Sequence, residues 1–148
     1  MKLFIPFLIV SQLLISCGGY SDTEKVQYDS EIQTLIRKNN WKMTKSDSGI
    51  YEEIKKEGDG NEIRLRDKIL VEYTGYFTNG IIFDKSKKPV EFDLSSLIGG
   101  WKEVLVGKRA GCETRFICPP YMAYGRAGKD KIPENAILVF DVKVLETK

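Results

Sequence analysis

From Ile50 onward the chain is a series of short alternating apolar segments cut by turn signals, and that pattern leaves few folds open. Ile50 to Lys56 sets Ile50 and Ile54 against Tyr51. Ile69 to Phe77 alternates Ile69, Val71 and Tyr73 with Leu70, Glu72 and Thr74. Gly58-Asp59-Gly60-Asn61 separates these two strands. Thr78-Asn79-Gly80 predicts a hairpin, because Asn-Gly readily takes positive φ, and Ile81 to Phe83 returns. Pro89 to Leu94 alternates Val90, Phe92 and Leu94. Thr114 to Cys118 reads as a strand stopped by Pro119-Pro120, and Ile137 to Leu145 as the last one. Ser95 or Ser96 is placed to cap a short helix over Leu97–Val106, with an irregular start at Gly99-Gly100. Many short strands and one short helix predict an α+β domain over residues 49–148.

The part before it has a different character. Lys2 and the apolar run Leu3 to Ile15 have the dimensions of a signal peptide and are short for a membrane span. Leu14-Ile15-Ser16-Cys17 resembles a bacterial lipobox. That resemblance implies cleavage after residue 16, lipid on Cys17 and anchoring to a membrane; a plain secretory signal is the alternative. Residues 17–23 are small and polar, as a tether would be. Asp22 or Thr23 is expected to cap a helix over Glu24–Asn39, with Val26, Ile32, Leu35 and Ile36 as its apolar stripe and Asn39-Asn40 as its stop. A docking helix and a partner-binding helix both fit. Docking is favoured because Trp41 follows at once and needs cover.

Bulk properties exclude some functions. With 23 basic and 21 acidic residues in 148, the net charge of +2 gives no electrostatic case for nucleic acid. No cysteine–histidine ligand set exists, since there is no histidine, and the acidic residues do not cluster, so no metal or other cofactor is expected. The same absence removes the usual proton shuttle from any enzyme mechanism. Cys112 and Cys118 are expected to be free thiols. Six residues of strand span roughly 20 Å, whereas a disulfide needs Cα atoms within about 7 Å.

The chemistry lies in five separated motifs: Val71–Gly75, Gly80–Asp84, Ile98–Trp101, Pro120–Gly125 and Ala136–Asp141. Each sets an aromatic residue beside glycine or aspartate: Tyr73, Phe83 with Asp84, Trp101, Tyr124 and Phe140. A pocket that collected them would be apolar, aromatic-walled and almost empty of strong catalytic groups. Taken singly, each reads more readily as structural: Tyr73 and Phe140 lie on strands as core residues would, and Asp84 is placed to cap or to pair with a lysine in Lys85–Lys88.

In this order the motifs resemble the FKBP-type peptidyl-prolyl isomerases, over about Gly49 to Lys148. The resemblance implies an FKBP-like twisted antiparallel sheet of about five strands wrapped around one short helix, here with an extra N-terminal helix. It implies a pocket with Trp101 at the floor. Tyr73, Phe83, Val90, Leu97, Ile98, Ile132 and Phe140 would be its walls, and Asp84 and Tyr124 its polar groups. The Tyr124 hydroxyl and the Ile132 N–H would donate to substrate carbonyls. Proline-containing polypeptides would be the substrates and macrolides of the rapamycin class inhibitors, with no cofactor. Behind a lipobox, this describes a monomeric isomerase in the cell envelope, anchored to a bacterial membrane, facing the periplasm and acting on exported chains. The rivals are a non-catalytic proline-peptide module, a subunit of an envelope complex, and a general holdase. Four departures from the family pattern bear on activity, one being a loop before Ile132 that is about one residue short. Val90 stands where an aromatic residue is common, the loop between Asp84 and Pro89 is short, and the arginine that often pairs with the aspartate has only Lys87 or Lys88 as a substitute.

Overall fold

The structure, a computed structural model, describes residues 19–148. The segment expected to be a signal peptide, and Cys17, lie outside the described residues. Among the described residues no helix is long and apolar enough to cross a membrane.

Helix α1 spans Asp22–Asn39. Its cap is Ser21, not Asp22 or Thr23. Ser21 and Glu24 close a capping box: the Ser21 hydroxyl accepts from the Glu24 N–H, and the Ser21 N–H donates to the Glu24 carboxylate at 2.8 Å. That reciprocal pairing satisfies two amide donors, which a cap one residue later would leave open. The helix ends as expected, with Asn40 in the left-handed region at φ 53°.

Seven strands follow: β1 (Thr44–Lys45), β2 (Tyr51–Lys56), β3 (Lys68–Phe77), β4 (Ile82–Lys85), β5 (Val90–Asp93), β6 (Glu113–Cys118) and β7 (Leu138–Thr147). They form one antiparallel sheet in the order β1-β2-β6-β7-β3-β4, with β5 also pairing β3. The sheet therefore has more strands than expected. The long β3 explains this: Lys68–Val71 pairs β5 and Thr74–Tyr76 pairs β4 along the edge opposite β7. The hairpin at Thr78-Asn79-Gly80 uses positive φ only at Gly80 (85°), while the Asn79 side chain accepts from the Ile81 N–H at 3.0 Å.

The period-2 alternation of the strands sorts their side chains onto two faces. Phe116, Cys118, Phe140, Val142 and Val71 face helix α2 (Gly99–Leu105) and bury its Trp101, Val104 and Leu105. Ile117, Val139 and Tyr51 point the other way and bury Ile32 of α1, with Leu35, Ile36, Trp41 and Met43 around it. The N-terminal helix is thus docked, and the sheet is covered on both sides. Trp41 receives its cover from Arg115, whose guanidinium lies 4.5 Å from the ring centroid while pairing with Asp141 at 2.7 Å.

Helix α2 is shorter than the expected Leu97–Val106, and neither serine caps it. Ser95 and Ser96 belong to a separate 3-10 turn, Leu94–Ser96, capped by the Asp93 carboxylate. Leu97 and Ile98 are extended between the two. Cys112 and Cys118 are free and buried. Burial pushes both thiols above their usual range, so neither is poised as a nucleophile.

Candidate active site

The site is built around Trp101, in the first turn of α2 and only 4% exposed. Gly100 sets its depth. A Cβ on Gly100 would lie 2.1 Å from the Cys118 sulfur, so only glycine lets α2 settle this closely onto β6. The indole then meets four rings edge-on: Tyr73 at 5.6 Å, Phe140 at 5.6 Å, Phe116 at 6.0 Å and Phe92 at 6.2 Å between centroids. Edge-to-face packing of this kind adds to the burial of ring area.

Above Trp101 is a cavity of about 260 Å³. Tyr73, Phe83, Phe92 and Phe140 come to it from strands, Leu97 and Ile98 from the extended link before α2, and Tyr124 from the loop after β6. The break between the 3-10 turn and α2 shapes the cavity: an unbroken helix would turn Leu97 and Ile98 through 100° per residue, whereas here both line it. Gly75 on β3 has a matching part. A Cβ there would sit 2.6 Å from Phe83 and 3.1 Å from Phe140, so its absence lets those rings meet edge-to-face at 5.8 Å.

The polar groups lie at the mouth. The Tyr73 hydroxyl donates to the Asp84 carboxylate at 2.5 Å. Burial, and then that hydrogen bond, hold the Tyr73 phenol well above its usual range. Tyr124 is half-buried, and its hydroxyl has no protein partner among the described residues. Burial chiefly, with the charges of Asp84 and Asp130, raises its pKa too. Both phenols thus remain protonated donors across ordinary pH. Among the described residues no group of three or more His, Cys, Asp or Glu side chains is arranged to hold a metal.

Of the residues named from the sequence, Tyr73, Phe83, Asp84, Leu97, Ile98, Trp101, Tyr124 and Phe140 converge on this cavity. Val90 does not line it. Val90 pairs with Val71 and packs on the core beside the cavity, and the ring that faces in is Phe92, two residues along the same face of β5. Phe92 was visible in the alternation of that strand, but an apolar alternation does not say which member reaches the opening. Ile132 lines an adjoining cleft of about 320 Å³ with Phe83, Asp84 and Tyr124. Its N–H is already committed, donating to the Lys129 carbonyl at 2.8 Å. That loop turns back on itself, so the amide expected to meet a substrate carbonyl has an internal partner. Neither Lys87 nor Lys88 pairs with Asp84 among the described residues; the Asp84 carboxylate is held by Tyr73. Lys129, also unforeseen, lines the cavity and places its ammonium 5.8 Å from the Tyr124 ring centroid.

Residues 60–145 match the family model of the FKBP-type peptidyl-prolyl cis-trans isomerases. The chain belongs to this family. Among its relatives, FK506-binding protein 4 of Mycosarcoma maydis is 43% identical over 109 residues, covering 71% of this chain and 29% of that protein. The FKBP-type peptidyl-prolyl cis-trans isomerase FkpA of Escherichia coli is 36% identical over 106 residues, covering 70% of this chain and 39% of that protein. The crystal structure of the same FkpA superimposes with a TM-score of 0.74 at 30% identity, over 85% of this chain and 62% of that one. A peptidyl-prolyl cis-trans isomerase from Pseudomonas syringae superimposes at 0.72 with 28% identity, over 88% of this chain and 99% of that one. This FKBP-family chain therefore spans well under half the length of the two sequence relatives. In the family's terms its fold is the antiparallel sheet with one short helix, preceded here by α1.

Proposed function

We propose that the cavity over Trp101 takes the proline ring of an X–Pro segment and speeds its cis–trans isomerisation. The substrates would be exported, partly unfolded polypeptides, met at a bacterial membrane to which Cys17 is lipid-linked. The carrying observation is the aromatic cavity itself, floored by Trp101, with Asp84 and Tyr124 at its mouth. The spacing of Leu14-Ile15-Ser16-Cys17 supports the anchor.

The reaction suits a site with no nucleophile. Amide resonance imposes a barrier of about 18–20 kcal/mol to rotation about the C–N bond. Resonance separates charge, so water stabilises the planar ground state. A cavity walled by Tyr73, Phe83, Phe92 and Phe140 replaces that water and favours the twisted amide. The free Tyr124 hydroxyl donates to a substrate carbonyl and orients the segment. Asp84, fixed by Tyr73, presents a carboxylate to the altered carbonyl.

The test is a cis–trans assay with a proline tetrapeptide on residues 18–148. Acceleration by the wild type is expected. Tyr124→Phe removes one neutral hydrogen bond and is expected to lower kcat/KM by about threefold to tenfold. Asp84→Ala is expected to lower it by about tenfold. An inert wild type would remove the enzyme reading. The pH profile is a separate check. The raised phenol pKa values postpone loss of the Tyr73 and Tyr124 protons to strongly alkaline pH, and the chain has no histidine. The rate is therefore expected to be flat from about pH 6 to about pH 9. A bell-shaped profile centred near neutrality would contradict it.

One observation favours a second reading. The Ile132 N–H is spent inside its own loop. A site missing that donor would hold proline segments without turning them over, as a binding module or a subunit of an envelope complex. Peptide binding with no rate enhancement would select it.

A further inference from the structure

The N-terminal segment reaches the loop that borders the cavity. That loop, residues 125–135, leaves Tyr124 and carries Lys129 and Ile132 to the two clefts. Its base is closed by the Asn135 N–H donating to the Gly125 carbonyl at 2.9 Å. Besides local hydrogen bonds, such as the Gly125 N–H donating to the Pro120 carbonyl at 2.9 Å, it is tied to residues more than a hundred positions earlier. The Tyr20 hydroxyl donates to the Asn135 side-chain carbonyl at 2.7 Å, across 115 residues of sequence. The Arg126 guanidinium donates to both oxygens of the Glu24 carboxylate, at 2.7 and 2.9 Å. It also lies 4.4 Å from the Tyr20 ring centroid. Tyr20 in turn is wedged between Tyr28 and Tyr121, at 5.8 and 5.6 Å between centroids.

These contacts have a firm post behind them. Glu24 is the capping-box residue of α1, and α1 is fixed to the sheet through Ile32, which is 1% exposed. The Ser21 N–H and Arg126 hold the Glu24 carboxyl down at about 2, so the ion pair stays charged at any pH suited to an assay. An exposed ion pair alone contributes little. Here the pair is joined to a stacked guanidinium, a tyrosine hydrogen bond and the first turn of a docked helix.

We infer that Tyr20 and Arg126, with Glu24, clamp the 125–135 loop in the conformation that sets Tyr124 and the Ile132 side chain along the clefts that take the substrate. This makes Tyr20 and Arg126 positioning residues for the isomerisation. The inference rests on the cavity being the proline site. Its physical content is a population. A loop that is competent for only a fraction of the time weakens apparent substrate affinity by that fraction, without altering the chemistry once substrate is bound. The clamp raises the competent fraction by tying Arg126, inside the 60–145 span of the family model, to Tyr20 and Glu24, which lie outside it.

The test uses the full chain in detergent micelles. Wild type is compared with Arg126→Ala, Arg126→Lys, Tyr20→Phe and Glu24→Gln. The last of these keeps a capping-box side chain while removing the charge that faces Arg126. Amide hydrogen exchange of residues 125–135, affinity for a proline tetrapeptide, and kcat and KM are measured. For Arg126→Ala, loop exchange is expected to rise about tenfold and peptide affinity to fall about threefold to tenfold, with kcat within about twofold. Tyr20→Phe and Glu24→Gln are expected to move the same readouts less, and Arg126→Lys to restore part of the affinity. Unchanged loop exchange and affinity in Arg126→Ala would overturn the inference. So would equal acceleration of exchange at Val71 and Val139, which would mean that the contacts only stabilise the whole fold. A wild type that neither binds nor turns over proline peptides would overturn the proline-site reading and the positioning role with it. Loop exchange would then still report separately whether the clamp exists.

Discussion

Trp101→Ala is expected to destabilise the fold by about 3–5 kcal/mol and to erase peptide binding. The indole is 4% exposed and is the ring that Tyr73, Phe92, Phe116 and Phe140 all contact. Its removal loses the transfer free energy of a large aromatic side chain and leaves a void that four edge-on rings cannot close without moving. A domain of this size is stable by roughly 5–15 kcal/mol, so the variant should still fold at low temperature but with little margin. Thermal and urea denaturation measure the loss. Trp101→Phe separates the two roles: it keeps a ring in the core, so it should retain most of the stability while lowering the cavity floor and weakening the peptide. A change below about 1 kcal/mol for Trp101→Ala would mean that the neighbours repack freely and that the floor is not part of the core.

Gly100→Ala is expected to cost about 1–3 kcal/mol, although it adds a single methyl group to a helix. On propensity alone, alanine in place of glycine would favour the helix by roughly 1 kcal/mol. The close approach decides the sign. The added Cβ would lie 2.1 Å from the Cys118 sulfur and 3.4 Å from the Met122 carbonyl oxygen, and Cys118 is fully buried in β6. Either the thiol leaves its rotamer or α2 lifts off the sheet and carries Trp101 with it. Cys118→Ala removes the obstructing sulfur, so the double variant should be more stable than Gly100→Ala alone. The double-mutant cycle reads this as a favourable coupling of roughly 1 kcal/mol or more. Strict additivity would mean that the sulfur is not what excludes a side chain at position 100.

Strand alternation, the Asn-Gly turn and the Asn39-Asn40 helix stop were legible because each is set by the residues themselves and their nearest neighbours. The two-face sorting of Phe116 and Ile117, or of Phe140 and Val139, follows from the same period of two. Boundaries that depend on competition between caps were not legible. Ser21 wins over Asp22 and Thr23 because Glu24 stands three residues on and completes the reciprocal bond. Asp93 captures Ser95 for a separate turn, which leaves α2 to begin at Gly99 without a side-chain cap. Val90 and Phe92 share one face of β5, and only the position of Trp101, whose ring meets Phe92 edge-on at 6.2 Å, shows that Phe92 is the one at the cavity.

The order of the aromatic motifs determined by itself the family, the fold class and most of the cavity wall, since those motifs carry both the strand pattern and the ring chemistry. The lack of histidine likewise removed the usual proton shuttle from any mechanism. Tertiary structure alone decided what the polar groups do. Among the described residues it tied Asp84 to Tyr73 and not to a lysine, committed the Ile132 N–H to Lys129, and gave the Tyr124 hydroxyl no partner. It also brought Tyr20 to Asn135 across 115 residues. Hydrogen-bond partners are chosen by distance in space, at a scale of about 3 Å. No local pattern in a chain specifies which distant backbone will arrive there.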